Sequence, residues 1–155
     1  ADGLNNLSGL DEWWRRLASP VVLTPHPGEM ATLTGLSTAE IQGDRINSAR
    51  HWSRHWNATV VLKGAHTLIA EPGGMVRVSP FANPGLASGG TGDVLAGIIA
   101  GLIAQGLPLD LAASCGVFIH GLAGEAVRDR IGDTGSIASD LVELLPETIH
   151  DLKLA

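Results

Sequence analysis

The chain has 155 residues, a formal net charge of −6 and one cysteine, and these values exclude several classes of protein. An acidic chain without clustered Lys and Arg is a poor match for nucleic-acid binding, and one cysteine cannot form an internal disulfide. The length and the 45% hydrophobic content fit a single globular domain over residues 1–155. The N-terminal segment lacks a signal-peptide pattern, and the apolar run over 94–109 is too short for a membrane helix, so a cytoplasmic location is expected.

Helix and strand patterns alternate along the chain. Ser37 and Glu40 have the capping-box spacing that opens a helix, and Pro72, Gly73 and Gly74 indicate the turn of a hairpin. The predicted elements are an amphipathic segment over 10–17, a strand over 21–24, helices over 29–33 and 37–56, a strand over 59–62, a hairpin over 66–80, and helices over 92–106, 108–130 and 136–145.

This order predicts an α/β layer fold with at least part of its sheet parallel. The helix over 37–56 is expected to bury Trp56 and to leave His51 and His55 on a solvated face. The apolar run over 94–109 predicts a buried helix. Cys115 and His120 have apolar neighbours, so they are expected to be an inert buried thiol and a core histidine.

Two loops with polar side chains follow the predicted strands. TPHPGE, residues 24–29, presents His26 and Glu29 on a turn that two prolines stiffen, although such a turn is also ordinary strand punctuation. KGAHT, residues 63–67, places Lys63 at a strand end before a glycine that lets backbone approach a ligand; a solvated lysine is the alternative. Ligands of open α/β sheets bind outside the carboxyl ends of the strands, so both loops are candidate binding segments.

The third loop is the glycine-rich segment GGTGD, residues 89–93. Its glycines can adopt backbone conformations closed to other residues, and they expose successive N–H groups at the positive dipole end of the next helix. Such a terminus binds phosphate oxygens, so Gly90, Thr91 and Gly92 are the expected anion hole. The segment matches neither the Walker-type phosphate loop nor the G-x-G-x-x-G pattern.

Asp93 is expected in the first helical turn beside this anion hole. A carboxylate there could simply complement the helix dipole, which is worth about 0.3–1 kcal/mol, but that interpretation leaves the preceding glycines unexplained. Bound phosphate would repel the carboxylate, so a further purpose is expected. Accepting a proton from a hydroxyl that attacks the phosphate is a suitable one, and Asp93 is therefore the predicted catalytic base.

Four segments together resemble one family: ADGLN (1–5), TPHPGE (24–29), VVLKGAHT (60–67) and NPGLASGGTGDVLAG (83–97). They are similar to motifs of the ADP/ATP-dependent NAD(P)H-hydrate dehydratases of the ribokinase-like superfamily, and the likeness continues to ASDL (138–141). GGTGD alone would indicate only a ribokinase-like kinase, whereas the combination is much more specific. The resemblance implies a ribokinase-like layered α/β fold, represented here by its C-terminal half, with a mixed sheet and flanking helices.

The resemblance also implies repair of damaged nicotinamide cofactors. The hydroxyl of hydrated NADH or NADPH is phosphorylated at the expense of ADP or ATP, and elimination restores the reduced cofactor. Mg²⁺ is the implied cofactor, bound mainly through phosphates and without assigned protein ligands. By motif, His26 and Asp93 would contact the hydrate. The residues implied to hold the nucleotide are Lys63, Gly64, Ala65, His66, Thr67 and Gly92.

The sequence begins at a segment that resembles the family's DADGLN, so the N-terminal half of the usual catalytic domain is expected to be missing. Missing strands would expose a sheet edge or face, and members of the family are commonly oligomeric, so a homo-oligomer is expected. Two other functions stay open. One is a small-molecule hydroxyl kinase of the same superfamily, and the other is a non-catalytic fragment for nucleotide binding or assembly.

Overall fold

The computed structural model describes residues 2–132 and 134–154. The chain divides into two compact units, one ending at Val78 and the other beginning at Ser79. None of the helices in the described ranges is both long and apolar enough to cross a membrane. The expectation of a single domain over residues 1–155 stays a prediction.

The first unit contains four helices, a 3₁₀ turn and four strands. A helix at its start was not predicted, because ADGLNNLS shows no apolar periodicity long enough to be recognised. The elements are α1 (Asp2–Ser8), the 3₁₀ turn (Trp13–Arg16), β1 (Val22–Leu23), α2 (Pro27–Thr34), α3 (Thr38–Gly43), α4 (Arg45–Trp56), β2 (Thr59–Leu62), β3 (Leu68–Ala70) and β4 (Val76–Val78).

The four strands form one mixed sheet in the order β1-β2-β3-β4. β1 is parallel to β2, and β2, β3 and β4 are successively antiparallel, with Val60 opposite Ala70 and Ala70 opposite Val76. All four residues of β2 are buried, as expected for a strand covered on both faces. The predicted hairpin is confirmed: its turn lies between Glu71 and Met75, whose backbone groups are hydrogen-bonded at 2.9 Å. The mixed sheet with flanking helices is therefore present.

The prediction of a single helix over 37–56 is wrong, because the helical conformation is interrupted at Asp44. The capping box itself forms, since Glu40 N–H donates to the Ser37 hydroxyl at 3.2 Å and Ser37 N–H donates to the Glu40 carboxylate at 2.8 Å. Asp44 then leaves helical geometry (φ −147°, ψ 72°), and its carboxylate accepts from Asn47 N–H at 3.1 Å. Because the Asp44 side chain caps a second helix, ending the first helix there costs little stability. Two short helices therefore replace the predicted single one.

The core of the first unit is built around tryptophans. Trp13 and Trp56 are each 2% exposed, and their ring centroids lie 5.1 Å apart. They pack with apolar side chains of α2 and α3 and with the buried face of the sheet. His51 and His55 are exposed, so the expectation for the two faces of α4 is confirmed.

The second unit consists of a 3₁₀ turn and three helices. These are the turn at Pro84–Ala87, α5 (Thr91–Ala104), α6 (Leu109–Ile131) and α7 (Ala138–Leu154). α6 packs against both α5 and α7. Gly116 allows the close approach to α5, because a Cβ there would lie 2.5 Å from Ile99 Cγ1.

Three expectations for this unit need correction. α5 is not a buried helix, since among its residues only Thr91, Leu95 and Ile99 are buried, and Cys115 is exposed rather than buried. α5, and α6, which contains Cys115, are both apolar on several faces, so the sequence could not indicate which face lies inside. α7 continues through Pro146 instead of ending there. The proline removes only one helical N–H, and Val142, whose carbonyl loses its partner, lies on the exposed face of the helix.

Candidate functional site

The TPHPGE loop connects β1 to α2, and His26 is the N-cap of that helix. Its Nδ1 accepts hydrogen bonds from Gly28 N–H at 3.0 Å and Glu29 N–H at 3.2 Å. In return, the Glu29 carboxylate accepts from His26 N–H at 2.6 Å, which closes a capping box with histidine in the usual place of serine or threonine. Pro27 at the first helical position is compatible with this geometry, because its missing N–H would have no partner there.

These contacts select one tautomer of the neutral His26 ring. Because Nδ1 accepts two backbone N–H groups, the neutral ring carries its proton on Nε2. Nε2 lies 3.6 Å from Glu29 Oε1, and the side chain is 55% exposed. His26 therefore has a fixed orientation and presents an N–H donor at the surface of the unit.

Glu29 is buried, contrary to the expectation that the turn presents it, and its side chain is only 6% exposed. Its carboxylate lies 3.6 Å from Lys63 Nζ in the KGAHT loop. Burial by itself would raise the pKa of Glu29, but hydrogen bonds, including that from His26 N–H, and the charge of Lys63 outweigh it and hold the pKa below its ordinary value. The carboxylate is therefore ionised at neutral pH.

The first two candidate loops lie side by side in the first unit. Lys63 N–H donates to Pro25 O at 2.9 Å, and Glu29 stands between His26 and the Lys63 ammonium. The structure thus brings His26 and Lys63 to the same end of the parallel pair β1 and β2, as expected from the position of the loops after these strands.

The KGAHT loop has an unusual backbone. Gly64 has φ +145° and His66 has φ +53°, and the Thr67 hydroxyl donates to Gly64 O at 3.0 Å. Gly64, Ala65 and His66 are exposed, whereas Lys63 and Thr67 are half-buried. The loop is therefore a tight, surface-accessible turn in which each position has a defined conformation.

One residue of this site has no local sequence signal. Arg45, the first residue of α4, donates from Nη1 to Ala65 O at 2.6 Å and from Nη2 to Leu62 O at 3.3 Å and Lys63 O at 3.4 Å. The contact spans about twenty residues along the chain, and nothing in the sequence around Arg45 indicates it.

The GGTGD loop lies in the second unit, where Gly90 caps α5 in the left-handed conformation with φ +87°. Gly90 O accepts from Asp93 N–H at 3.0 Å and from Val94 N–H at 3.1 Å. Within residues 2–132 and 134–154, no backbone acceptor is hydrogen-bonded to the N–H of Gly89, Gly90 or Gly92. These donors stand at the start of a 14-residue helix, the geometry that favours an anion.

The loop before α5 is anchored to its own unit. The buried Thr91 hydroxyl donates to Leu86 O at 2.6 Å, and the buried His120 lies with Nε2 2.9 Å from Thr91 O, so that Nε2 must donate. Asn83 Nδ2 donates to Gly124 O at 2.8 Å. The prediction that His120 is a core histidine is confirmed, and its hydrogen bond also ties α6 to the start of α5.

Asp93 is exposed in the first turn of α5. Gly90, the N-cap, has no side chain that could cap the helix, and no hydrogen bond joins the Asp93 carboxylate to another described residue. α5 therefore lacks a side-chain cap, whereas His26 and Asp44 cap α2 and α4 with their side chains. The carboxylate is left accessible beside the N–H groups of the loop.

The structure places the predicted residues in two groups. The loops over 24–29 and 63–67 meet in the first unit, and the loop over 89–93 forms the start of α5 in the second. The predicted meeting of all three loops stays a prediction. Among the described residues, no group of three or more His, Cys, Asp or Glu side chains could hold a metal ion by itself.

The fold is similar to that of solved ribokinase-like proteins. A ribokinase-like superfamily protein from Enterococcus faecalis is 28% identical and superposes with a TM-score of 0.82 over 97% of this chain and 51% of that protein. The ADP/ATP-dependent NAD(P)H-hydrate dehydratase from Bacillus subtilis, co-crystallized with ATP/Mg²⁺, is 36% identical, with a TM-score of 0.82 over 85% of this chain and 48% of that protein. The chain therefore has a partial ribokinase-like fold, as expected.

The sequence model of a family described as NAD(P)H-hydrate dehydratase matches residues 1–147. The chain belongs to this family, and the resemblance noted in its motifs is confirmed.

Two relatives indicate how much of a family member the chain represents. The bifunctional NAD(P)H-hydrate repair enzyme Nnr of Moorella thermoacetica is 46% identical over 99% of this chain, which corresponds to 29% of that enzyme. The ADP-dependent (S)-NAD(P)H-hydrate dehydratase of Neisseria meningitidis is 44% identical over 85% of this chain and 45% of that enzyme. The chain thus spans less than half the length of these relatives.

Proposed function

We propose that the chain forms part of an enzyme that uses ADP or ATP to dehydrate hydrated NADH or NADPH. The observation that carries the proposal is the accessible carboxylate of Asp93 at the start of α5, beside N–H groups of Gly90 and Gly92 that have no backbone acceptor in the described part of the chain. Such a terminus suits a phosphoryl group, and a carboxylate at its edge suits a base for the attacking hydroxyl. The family membership supports the same reaction.

In this mechanism the loop amides hold phosphate oxygens, and the Asp93 carboxylate accepts the proton of the substrate hydroxyl as its oxygen bonds to phosphorus. The nucleotide leaves with the electron pair of the broken P–O bond. Elimination then breaks the C–O bond of the new phosphate ester and passes a proton from the adjacent ring carbon to solvent, which releases inorganic phosphate and forms the C=C bond of the dihydronicotinamide. Because the N–H donors are fixed before the ligand arrives, they cost no reorganisation during the reaction.

The first unit supplies groups of a different kind. The exposed His26 side chain, with its proton on Nε2, would donate a hydrogen bond to the hydrate, and the capping contacts keep its ring in place. The KGAHT loop would hold the nucleotide through residues 63–67. Lys63 would bring a positive charge toward the nucleotide phosphates, while Glu29 keeps its side chain in one position.

Mg²⁺ fits this set of donors. The ion keeps several waters and binds largely through substrate phosphates, and the N–H groups at the start of α5 would hold phosphate oxygens within its reach. When bound, the ion would neutralise charge on the transferred phosphoryl group.

The exposed Cys115 in a chain with one cysteine is compatible with the proposed cytoplasmic location.

The substitution Asp93→Asn tests the proposal in the complete protein. Loss of a positioned base typically lowers turnover by roughly 10²–10⁴-fold, and removal of a negative charge near phosphate should leave nucleotide affinity equal or higher. Turnover is followed by the near-ultraviolet absorbance of the restored nicotinamide together with phosphate release, and affinity by calorimetry. A kinase would instead release a stable phosphorylated product.

Asp110→Asn is the matched control, because Asp110 is also the acidic residue in the first turn of an apolar helix. It should keep normal turnover. If Asp93→Asn and Asp110→Asn behave alike, with slightly lower stability and near-normal turnover, Asp93 only complements the helix dipole and the proposed mechanism is wrong.

A further inference from the structure

One side chain, that of Arg45, holds the backbone of the KGAHT loop in place through hydrogen bonds. Arg45 reaches from the start of α4 to three carbonyl oxygens, those of Leu62, Lys63 and Ala65, at 2.6–3.4 Å. Hydrogen bonds from a charged donor are roughly twice as strong as neutral ones. The guanidinium is half-buried and planar, so it fixes the direction of successive peptide groups rather than a single atom.

The direction of these carbonyls decides where the amide groups point. In a trans peptide the C=O and the following N–H point in opposite directions. Because the carbonyl of Lys63 is turned toward Arg45, the N–H of Gly64 is turned away from it. No acceptor among the described residues is hydrogen-bonded to this N–H. Arg45 therefore turns a donor of the exposed loop away from its own guanidinium.

The close approach of Arg45 also requires a glycine. Gly64 has φ +145°, a conformation that residues with a side chain rarely adopt, and a Cβ there would lie 2.9 Å from Arg45 Nη2. The glycine and the arginine thus form one structural device, although 18 residues of sequence lie between them.

We propose that Arg45 is a positioning residue for nucleotide binding, which it controls by setting the backbone conformation of residues 62–65. The inference rests on the proposed function, in which this loop holds the nucleotide. A purely structural arginine would stabilise the fold without affecting affinity for the ligand, and α4 contains a suitable example. Arg50 donates from Nε to Gly74 O at 3.2 Å and from Nη1 to Asn47 Oδ1 at 2.6 Å, away from the candidate loops.

The experiment compares Arg45→Met with Arg50→Met in the complete protein. ADP and ATP affinities are measured by calorimetry, the nucleotide KM and kcat in the dehydration assay, and stability by thermal unfolding. Misplacement of a binding group by about 1 Å can cost on the order of 10²-fold. We expect Arg45→Met to weaken nucleotide affinity by roughly 10- to 100-fold, with a larger effect on the nucleotide KM than on kcat.

Arg50→Met should lower the melting temperature but leave affinity within about twofold, since it removes similar contacts elsewhere. Arg45→Lys keeps the charge without the planar fork, so it should recover part of the affinity. Equal affinities in wild type and Arg45→Met would overturn the inference and leave the proposed function intact. If Arg45→Met does not fold, wild-type affinity in Arg45→Lys would overturn it equally.

A wild-type protein that binds neither nucleotide and dehydrates no hydrate would refute the proposed function, and the inference about Arg45 would fall with it. Amide hydrogen exchange distinguishes this case from the previous one. Faster exchange of the loop over 63–67 in Arg45→Met, but not in Arg50→Met, would then identify a contact that orders the loop without serving a nucleotide.

Discussion

Replacing Glu29 by glutamine tests how the two loops of the first unit are held together. The substitution keeps the size of the side chain and one oxygen that can accept from His26 N–H, but it removes the negative charge. In the native protein that charge lies 3.6 Å from Lys63 Nζ, and the Glu29 side chain is 6% exposed while that of Lys63 is 22% exposed. The Glu29→Gln variant would therefore leave a half-buried ammonium without its carboxylate.

The size of the effect follows from these contacts. Hydrogen bonds to a charged group contribute about 1.5–3 kcal/mol and neutral ones about half as much, so the bond from His26 N–H should lose about 1 kcal/mol. The ion pair to Lys63 joins a buried carboxylate to a half-buried ammonium at 3.6 Å, and its loss adds about 1 kcal/mol. A loss of about 2 kcal/mol lowers the melting temperature of a chain of this size by roughly 4–8 °C.

The effect must also depend on pH. Because the pKa of Glu29 is lower in the folded protein than its ordinary value, the ionised carboxylate stabilises the fold. This contribution is complete above the unfolded pKa of about 4.3 and is lost as the pH falls through the lower folded value. The difference in stability between wild type and Glu29→Gln should therefore be full at pH 7 and should close in more acidic solution.

Thermal unfolding of both proteins at pH 7 and at several values below about 4 provides the measurement. Glu40→Gln is the matched control, because Glu40 closes the other capping box with Ser37 but is exposed and has no lysine partner among the described residues. It should cause a smaller loss. The reasoning is refuted if Glu29→Gln is as stable as wild type at pH 7, or if its deficit is the same at every pH.

Two further predictions concern the ligand and the assembly. Gly92→Val should weaken ADP and ATP binding measured by calorimetry, because a branched side chain restricts the loop beside the anion hole. Gly97→Val, where a Cβ meets no atom within 4 Å, should bind normally, and equal affinities in both variants would remove Gly92 from the site. The exposed apolar side chains of α6, including Leu111 and Phe118, support a homo-oligomer, and a single monomeric mass in light scattering across micromolar concentrations would contradict it.

Features set by a few neighbouring residues were predictable from the sequence. Ser37 with Glu40 and the Pro72-Gly73-Gly74 turn act through contacts within four or five residues, and the structure contains both. β2 was recognisable because a buried strand is apolar at every position. In each case the physical cause lies within the segment itself.

Errors arose where two local rules competed. Ser37 signals one helix, but Asp44 caps a second, and the sequence does not say which start prevails. A proline usually ends a helix, yet α7 continues past Pro146 to Leu154 and buries Thr148 beyond it. A proline inside a helix costs about 3 kcal/mol, which packing of the opposite face must offset, and the local sequence does not show that packing.

In the candidate site, too, local features were predictable from the sequence and contacts with distant residues were not. Its motifs were recognisable in the sequence because glycine and proline affect the backbone locally, as at Gly64 and Gly90, which have positive φ angles. The side chains that hold these backbones in place gave no signal: Arg45 acts on a loop about twenty residues away, and His120 acts on Thr91 from 29 residues away. A motif thus specifies which conformations a loop can adopt, whereas distant residues select one of them. Variants at Arg45 and at Gly64 should for this reason impair the same property of the loop, although only the glycine belongs to the motif.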